Sequence, residues 1–144
     1  MKPSSLLAIT LTLFSGSVLA ASGTIYKSAS CGCCEDWVSH MKDNGFSLKV
    51  ENSDNLYPIK KKLGLTPELA SCHTAVIDGY VFEGHIPASD IQTFLQNEPK
   101  DLDGLAVPGM PLGSPGMEFD NRKQAYQVIG FSKDGKTQVF SQHN

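Results

Sequence analysis

The chain has 144 residues, a formal net charge of −3 and four cysteines. That length suits one compact domain with its own core. Mild acidity argues against nucleic acid and anionic lipid as partners, because both are held by dense Lys/Arg patches.

The N-terminus reads as a secretory signal peptide over residues 1–20. Met1-Lys2-Pro3 gives a short positive start, and Leu6 to Phe14 is an apolar run too short to span a bilayer. Val18-Leu19-Ala20 is a small-residue cleavage pattern, which places the mature start at Ala21. One domain over residues 21–144 follows, with no later stretch apolar enough to span a membrane. Export implies an oxidising compartment such as the periplasm, where disulfides are permitted.

Thr24-Ile25-Tyr26 reads as a first strand and Lys27 to Cys31 as a turn. Glu35 to Asn44 is predicted helical: Trp37, Val38 and Met41 share a face, Glu35 and Asp36 suit the N-terminal dipole, and Gly45 is the stop. Phe46, Leu48 and Val50 alternate with polar residues as in a strand. Leu56 to Leu63 is a short helical stretch, and its run Lys60, Lys61, Lys62 reads as a solvated face. Thr74–Ile77 and Tyr80–Phe82 flank Asp78-Gly79, a hairpin signature. Ala88 to Gln96 reads as a helix burying Ile91, Phe94 and Leu95, closed by Pro99. From Leu102 to Asp120 the Gly and Pro content excludes regular structure, and an irregular stretch of that length is functional or disordered. Tyr126–Phe131 and Thr137–Ser141 flank Lys133-Asp134-Gly135-Lys136 as a second hairpin.

The order β-α-β-α-β-β-α is that of a thioredoxin-like fold, here with a long Gly/Pro loop and an added C-terminal β-hairpin. In that fold the active thiols lie between the first strand and its helix. Cys31 and Cys34 stand there at C-x-x-C spacing, with Cys33 as an extra thiol, and a helix N-terminus favours thiolate. Cys72-His73-Thr74 occupies the place of the usual cis-proline, so Cys72 is expected to face the other three cysteines.

Three nearly adjacent thiols close almost no loop, so the cluster points to chemistry more than to stapling. A shared thiolate site for Cu(I) is the sharper reading. Four thiolates hold one ion or bridge several in a copper–thiolate cluster. Two disulfides, Cys31–Cys34 and Cys33–Cys72, are the structural alternative, and zinc also accepts four cysteines. Thioethers favour Cu(I) over zinc, and Met117, where Gly116 allows close approach, is preferred over Met110 as an extra ligand. His85 follows the central hairpin on the thiol end and is a candidate ligand. His73 ranks below it, because neighbours on an extended segment point to opposite faces. Met41 and Trp37 read as core, and His40 and His143 as uninvolved.

Four segments resemble the CopG-type copper-resistance proteins. They are Cys31-Gly32-Cys33-Cys34, Ser71-Cys72-His73-Thr74-Ala75, Glu83-Gly84-His85-Ile86-Pro87-Ala88, and the stretch from Val107 through Pro108-Gly109-Met110-Pro111 to Met117-Glu118. The resemblance implies a thioredoxin-like fold, a periplasmic location, copper at the cysteine cluster and a role in copper tolerance. Copper ions and other periplasmic copper-handling proteins are the implied partners. Three functions then compete: a copper-dependent oxidoreductase visiting Cu(I) and Cu(II), a copper buffer or metallochaperone without catalysis, and a thiol–disulfide oxidoreductase using Cys31 and Cys34.

Overall fold

The computed structural model describes residues 20–144. The expected leader, apart from Ala20, lies outside the described residues. Among them no helix is long and apolar enough to cross a membrane.

Over the described residues the fold is mixed α/β, with one seven-stranded sheet and three α-helices. In sequence these are β1 (Ser22–Lys27), α1 (Gly32–Asp43), β2 (Ser47–Asn52), α2 (Tyr57–Lys62), β3 (Thr74–Ile77), β4 (Tyr80–Glu83), α3 (Ala88–Asn97), β5 (Gly104–Ala106), β6 (Tyr126–Phe131) and β7 (Thr137–His143). A 3₁₀ turn at Pro67–Leu69 leads into β3. The sheet order is β2-β1-β3-β4-β5-β6-β7. The β1–β2 and β4–β5 pairs are parallel and the rest antiparallel.

The first seven expected elements occur in the expected order. The β3–β4 turn holds Asp78 at φ +49° and Gly79 at φ +85°, the left-handed pair that a two-residue hairpin needs. Three expectations are corrected. Helix α1 begins at Gly32, not Glu35, so Cys33 and Cys34 lie in its first turn and Cys31 is its N-cap. The stretch from Leu102 is not wholly irregular: Gly104–Ala106 forms β5 against Val81–Glu83. Glycine is required at its start, because a Cβ on Gly104 would run into the Val81 carbonyl. Lys60 is not a solvated lysine: its side chain is 12% exposed and its amine is paired with the buried Glu83. Lys61 and Lys62 remain exposed.

Strand alternation sorts the core onto two sheet faces. Phe82 and Leu105 belong to the larger cluster, where Trp37 and Met41 of α1 meet Ile91 and Phe94 of α3. Their neighbours Val81 and Ala106 join Leu65, Leu69 and Phe131 in a second cluster. Leu95 is only partly buried at the edge of the first. The loops before α1, before β3 and after β4 converge at one end of the sheet.

Candidate metal centre

The α1 turn is held by ordinary backbone bonds, Cys31 N–H to the Ser28 carbonyl at 3.2 Å and Glu35 N–H to the Cys31 carbonyl at 3.3 Å. Lys27, fully buried at the end of β1, donates to the Ser28 carbonyl at 3.0 Å and pairs with Glu35 at 2.6 Å. This lysine locks the strand end to the helix start and so fixes where the cysteines sit.

Cys31 and Cys34 are joined as a disulfide with Cα atoms 5.3 Å apart, and Cys33 and Cys72 carry free thiols. The alternative of two bridges is half met: the Cys31–Cys34 pair is present, the Cys33–Cys72 pair is not. Cys72 comes from the loop before β3, yet its sulfur lies 3.4 Å from that of Cys34, as does that of Cys33 from Cys31. All four sulfurs fall within 4.8 Å of one another. The two segments therefore face each other as expected.

Cys72 also belongs to a second donor group, with His73 and His85, whose ligating atoms again lie within 4.8 Å of one another. His85 Nε2 is 3.0 Å from the Cys72 sulfur and His73 Nδ1 is 3.4 Å from it. Alternation along an extended segment ranked His73 below His85. The chain bends at Cys72, so the alternation is lost and both side chains turn to the same site. His73 is fully buried, 4.5 Å from the Trp37 ring and 4.9 Å from the His85 ring, centre to centre.

The electrostatics favour neutral donors in the metal-free chain. Burial lowers the pKa of His85, and burial together with the neighbouring His85 and Lys60 lowers that of His73 well below the ordinary imidazole value. Both rings are therefore held as neutral imidazoles, the form that ligates metals. Burial, with Cys33 beside it, pushes the Cys72 thiol up to about 12. The helix N-terminus was expected to favour thiolate at Cys31, Cys33 and Cys34. Cys72 lies outside that expectation, because it sits on the opposing loop and loses water without gaining the dipole.

His85 Nδ1 lies 2.8 Å from the Pro115 carbonyl, an oxygen that only accepts, so Nδ1 carries the proton. That leaves the Nε2 lone pair facing Cys72, an arrangement common for metal-ligating histidines. Pro115 is in the Gly/Pro loop, and the next residue presses onto the thiol turn. A Cβ on Gly116 would sit 2.5 Å from the Cys33 carbonyl oxygen, 2.8 Å from the Trp37 backbone nitrogen and 3.3 Å from His85 Nδ1. Met117 follows, half-buried, while Met110 is 51% exposed. His40 accepts a hydrogen bond from the Ala88 amide, and His143 pairs with Asp90, so both lie outside the site.

The donor set suits a soft metal: four sulfurs and two imidazoles, without a carboxylate among them. His73 Nε2 is, among the described residues, the buried side-chain polar atom without a hydrogen-bond partner. It is the other nitrogen of the ring, Nδ1, that faces the Cys72 sulfur.

Two solved structures share this arrangement of the chain. One, named copper resistance protein CopG, form 2, superposes with a TM-score of 0.82 at 43% sequence identity, covering 86% of this chain and 98% of the other. The chain belongs to the CopG family. A second CopG structure, form 1, gives a TM-score of 0.80 at the same 43% identity, covering 85% of this chain and 96% of its own. A protein-family model described as a protein of unknown function, DUF411, matches residues 69–117. Within this CopG-family chain that segment carries Cys72, His73, His85 and Met117, and leaves out the α1 cysteines. No curated protein sequence matches the chain.

Proposed function

We propose that this chain is an exported, periplasmic copper-binding protein of copper resistance, and that its site is a redox-active Cu(I) centre on a thioredoxin-like frame. One observation carries the reading: Cys72 belongs at once to a four-sulfur group and to a Cys-His-His group. A structural zinc site closes on four ligands and needs no second group. Soft thiolates select Cu(I), and imidazoles suit the harder Cu(II). The strand order β2-β1-β3-β4, with thiols at the start of α1, supports the thioredoxin-like frame.

Cys31, Cys33, Cys34 and Cys72 would hold copper through sulfur, with His85 and His73 on the nitrogen side and Met117 a further thioether. Bound copper supplies a one-electron couple between Cu(I) and Cu(II). The protein's own part is to converge the donors, hold His85 in one tautomer through Pro115, and keep water out with the Gly/Pro loop.

A second reading has one observation in its favour. The Cys31–Cys34 disulfide at C-x-x-C spacing is the arrangement of a thiol–disulfide oxidoreductase. Against it, Cys33 and Cys72 lie within 4.8 Å and would intercept a mixed disulfide before a substrate is released. Reduced protein beginning at Ala21 should be titrated with Cu(I) and read by native mass spectrometry and X-ray absorption. Expected are copper with mixed sulfur and nitrogen ligation, reversible electron transfer in the loaded form, and poor insulin reduction by the metal-free form. Efficient insulin reduction that copper only inhibits would establish the thiol-exchange reading. Tight copper that never cycles would establish a buffer or metallochaperone.

A further inference from the structure

Glu83 has no place in the donor set, yet it is fully buried beside it. One carboxylate oxygen accepts the Ser71 amide at 2.6 Å and the Lys60 amine at 2.5 Å. The other accepts the Thr74 hydroxyl at 2.6 Å, and Lys60 donates to that hydroxyl at 2.8 Å. The proton count closes, since Thr74 gives its one hydrogen to Glu83 and receives one from Lys60. Ser71 and Thr74 are the residues on either side of Cys72-His73. The residue just after β4 completes the bracket: the Gly84 amide donates to the His73 carbonyl at 3.0 Å. Gly84 takes φ +77°, and a Cβ there would meet Ser71 and the Val107 carbonyl at 2.6 Å.

We propose that Glu83, neutralised by Lys60, is a positioning residue that sets the reach of Cys72 and His73 toward the metal without touching it. This rests on the copper reading above. Stability alone does not ask for such a pair. Taking a carboxylate and an ammonium out of water is costly, and apolar residues of similar volume often stabilise as well or better. The Cys72 segment lies outside any strand, so the sheet ladder does not define its backbone. A carboxylate can hold both ends of a two-residue bend at once, which an apolar side chain cannot. Partners that orient metal ligands in this way typically affect affinity by about 10- to 100-fold.

The test replaces the buried pair by an apolar one, Lys60→Met with Glu83→Leu. Thermal unfolding reports the fold, chelator competition the Cu(I) affinity, X-ray absorption the ligand set, and iodoacetamide labelling of reduced metal-free protein the accessibility of Cys72. The expected result is a folded protein with Cu(I) affinity down by about tenfold or more, less nitrogen ligation and faster labelling at Cys72. A folded double variant with wild-type affinity, spectrum and labelling would overturn the proposal. If the double variant does not fold, Thr74→Val, which removes only the hydroxyl clamp, decides by the same three readouts. Should the wild-type chain take up no Cu(I), the copper reading fails, and labelling of Cys72 alone decides the role of Glu83.

Discussion

Cys72 is the residue on which the two donor groups depend. Removing its sulfur takes one ligand from each group, so Cys72→Ser should cut copper loading at least as severely as Cys31→Ser, measured by chelator competition. Loading that survives Cys72→Ser would mean the α1 cysteines act alone. His40 offers a metal-independent prediction. Its Nε2 accepts the Ala88 amide at 3.0 Å, and burial lowers its pKa from 6.5. The unfolded chain then takes up a proton that the folded chain refuses. The stability from this bond is present above pH 6.5 and is lost as pH falls through the lowered folded value. The melting temperature of the metal-free protein should fall between about pH 7 and 5, and less steeply in His40→Gln, which keeps an acceptor that does not titrate. His73 and His85, lowered in the same direction, leave a residual slope in that variant. At this scale the sequence was informative where chemistry is local. The C-x-x-C spacing and soft donors are visible in four residues, whereas the alternation argument about His73 failed at a bend, although His85 does lie nearer the Cys72 sulfur, and the reading of Lys60 failed because its partner, on β4, is distant in sequence.

The Gly/Pro loop is the element whose composition best matches its task. Pro115 and Gly116 reach the site through backbone atoms, which needs close approach and no side chain in the way. Gly116→Ala should destabilise the fold by about 1–3 kcal/mol, since φ is +83° and the new methyl would strike the Cys33 carbonyl. Denaturant unfolding measures this. Met117→Ala should leave the unfolding midpoint unchanged while speeding copper loss to a chelator; unchanged loss would reduce the loop to a connection. The same composition concealed β5. Three residues are too few for a periodic signal, and Gly104–Ala106 becomes a strand through its partners, Val81–Glu83 on one side and Ile129–Phe131 on the other. The early start of α1 was equally hidden. Cys31 caps the helix without a side-chain hydrogen bond, so the usual Ser, Thr, Asp or Asn signal is missing.

For the whole molecule, element order was legible because the strands and helices alternate with clear periods and the Asp78-Gly79 turn marks the central hairpin. What order alone did not reveal is how the C-terminal hairpin attaches. Short β5 pairs with β4 on one side and β6 on the other, which makes one continuous sheet of seven strands. The expected export is checked on the intact protein: a mass beginning at Ala21, recovered from the periplasmic fraction, is the predicted outcome, and retention of residues 1–20 in the recovered protein would refute it. The Cys31–Cys34 bond ties this address to the metal. Opening it takes two electrons and two protons, so the four-sulfur group exists only after a reductant has acted. On the copper reading, capacity then depends on the redox poise of the surroundings as well as on copper concentration. Wherever that bond is the dominant resting form, apparent four-sulfur affinity should fall tenfold for each ~30 mV that the medium becomes more oxidising. Uptake measured across a series of redox buffers would trace that line. A chain of this kind would register the reducing capacity of its compartment through the amount of metal it carries.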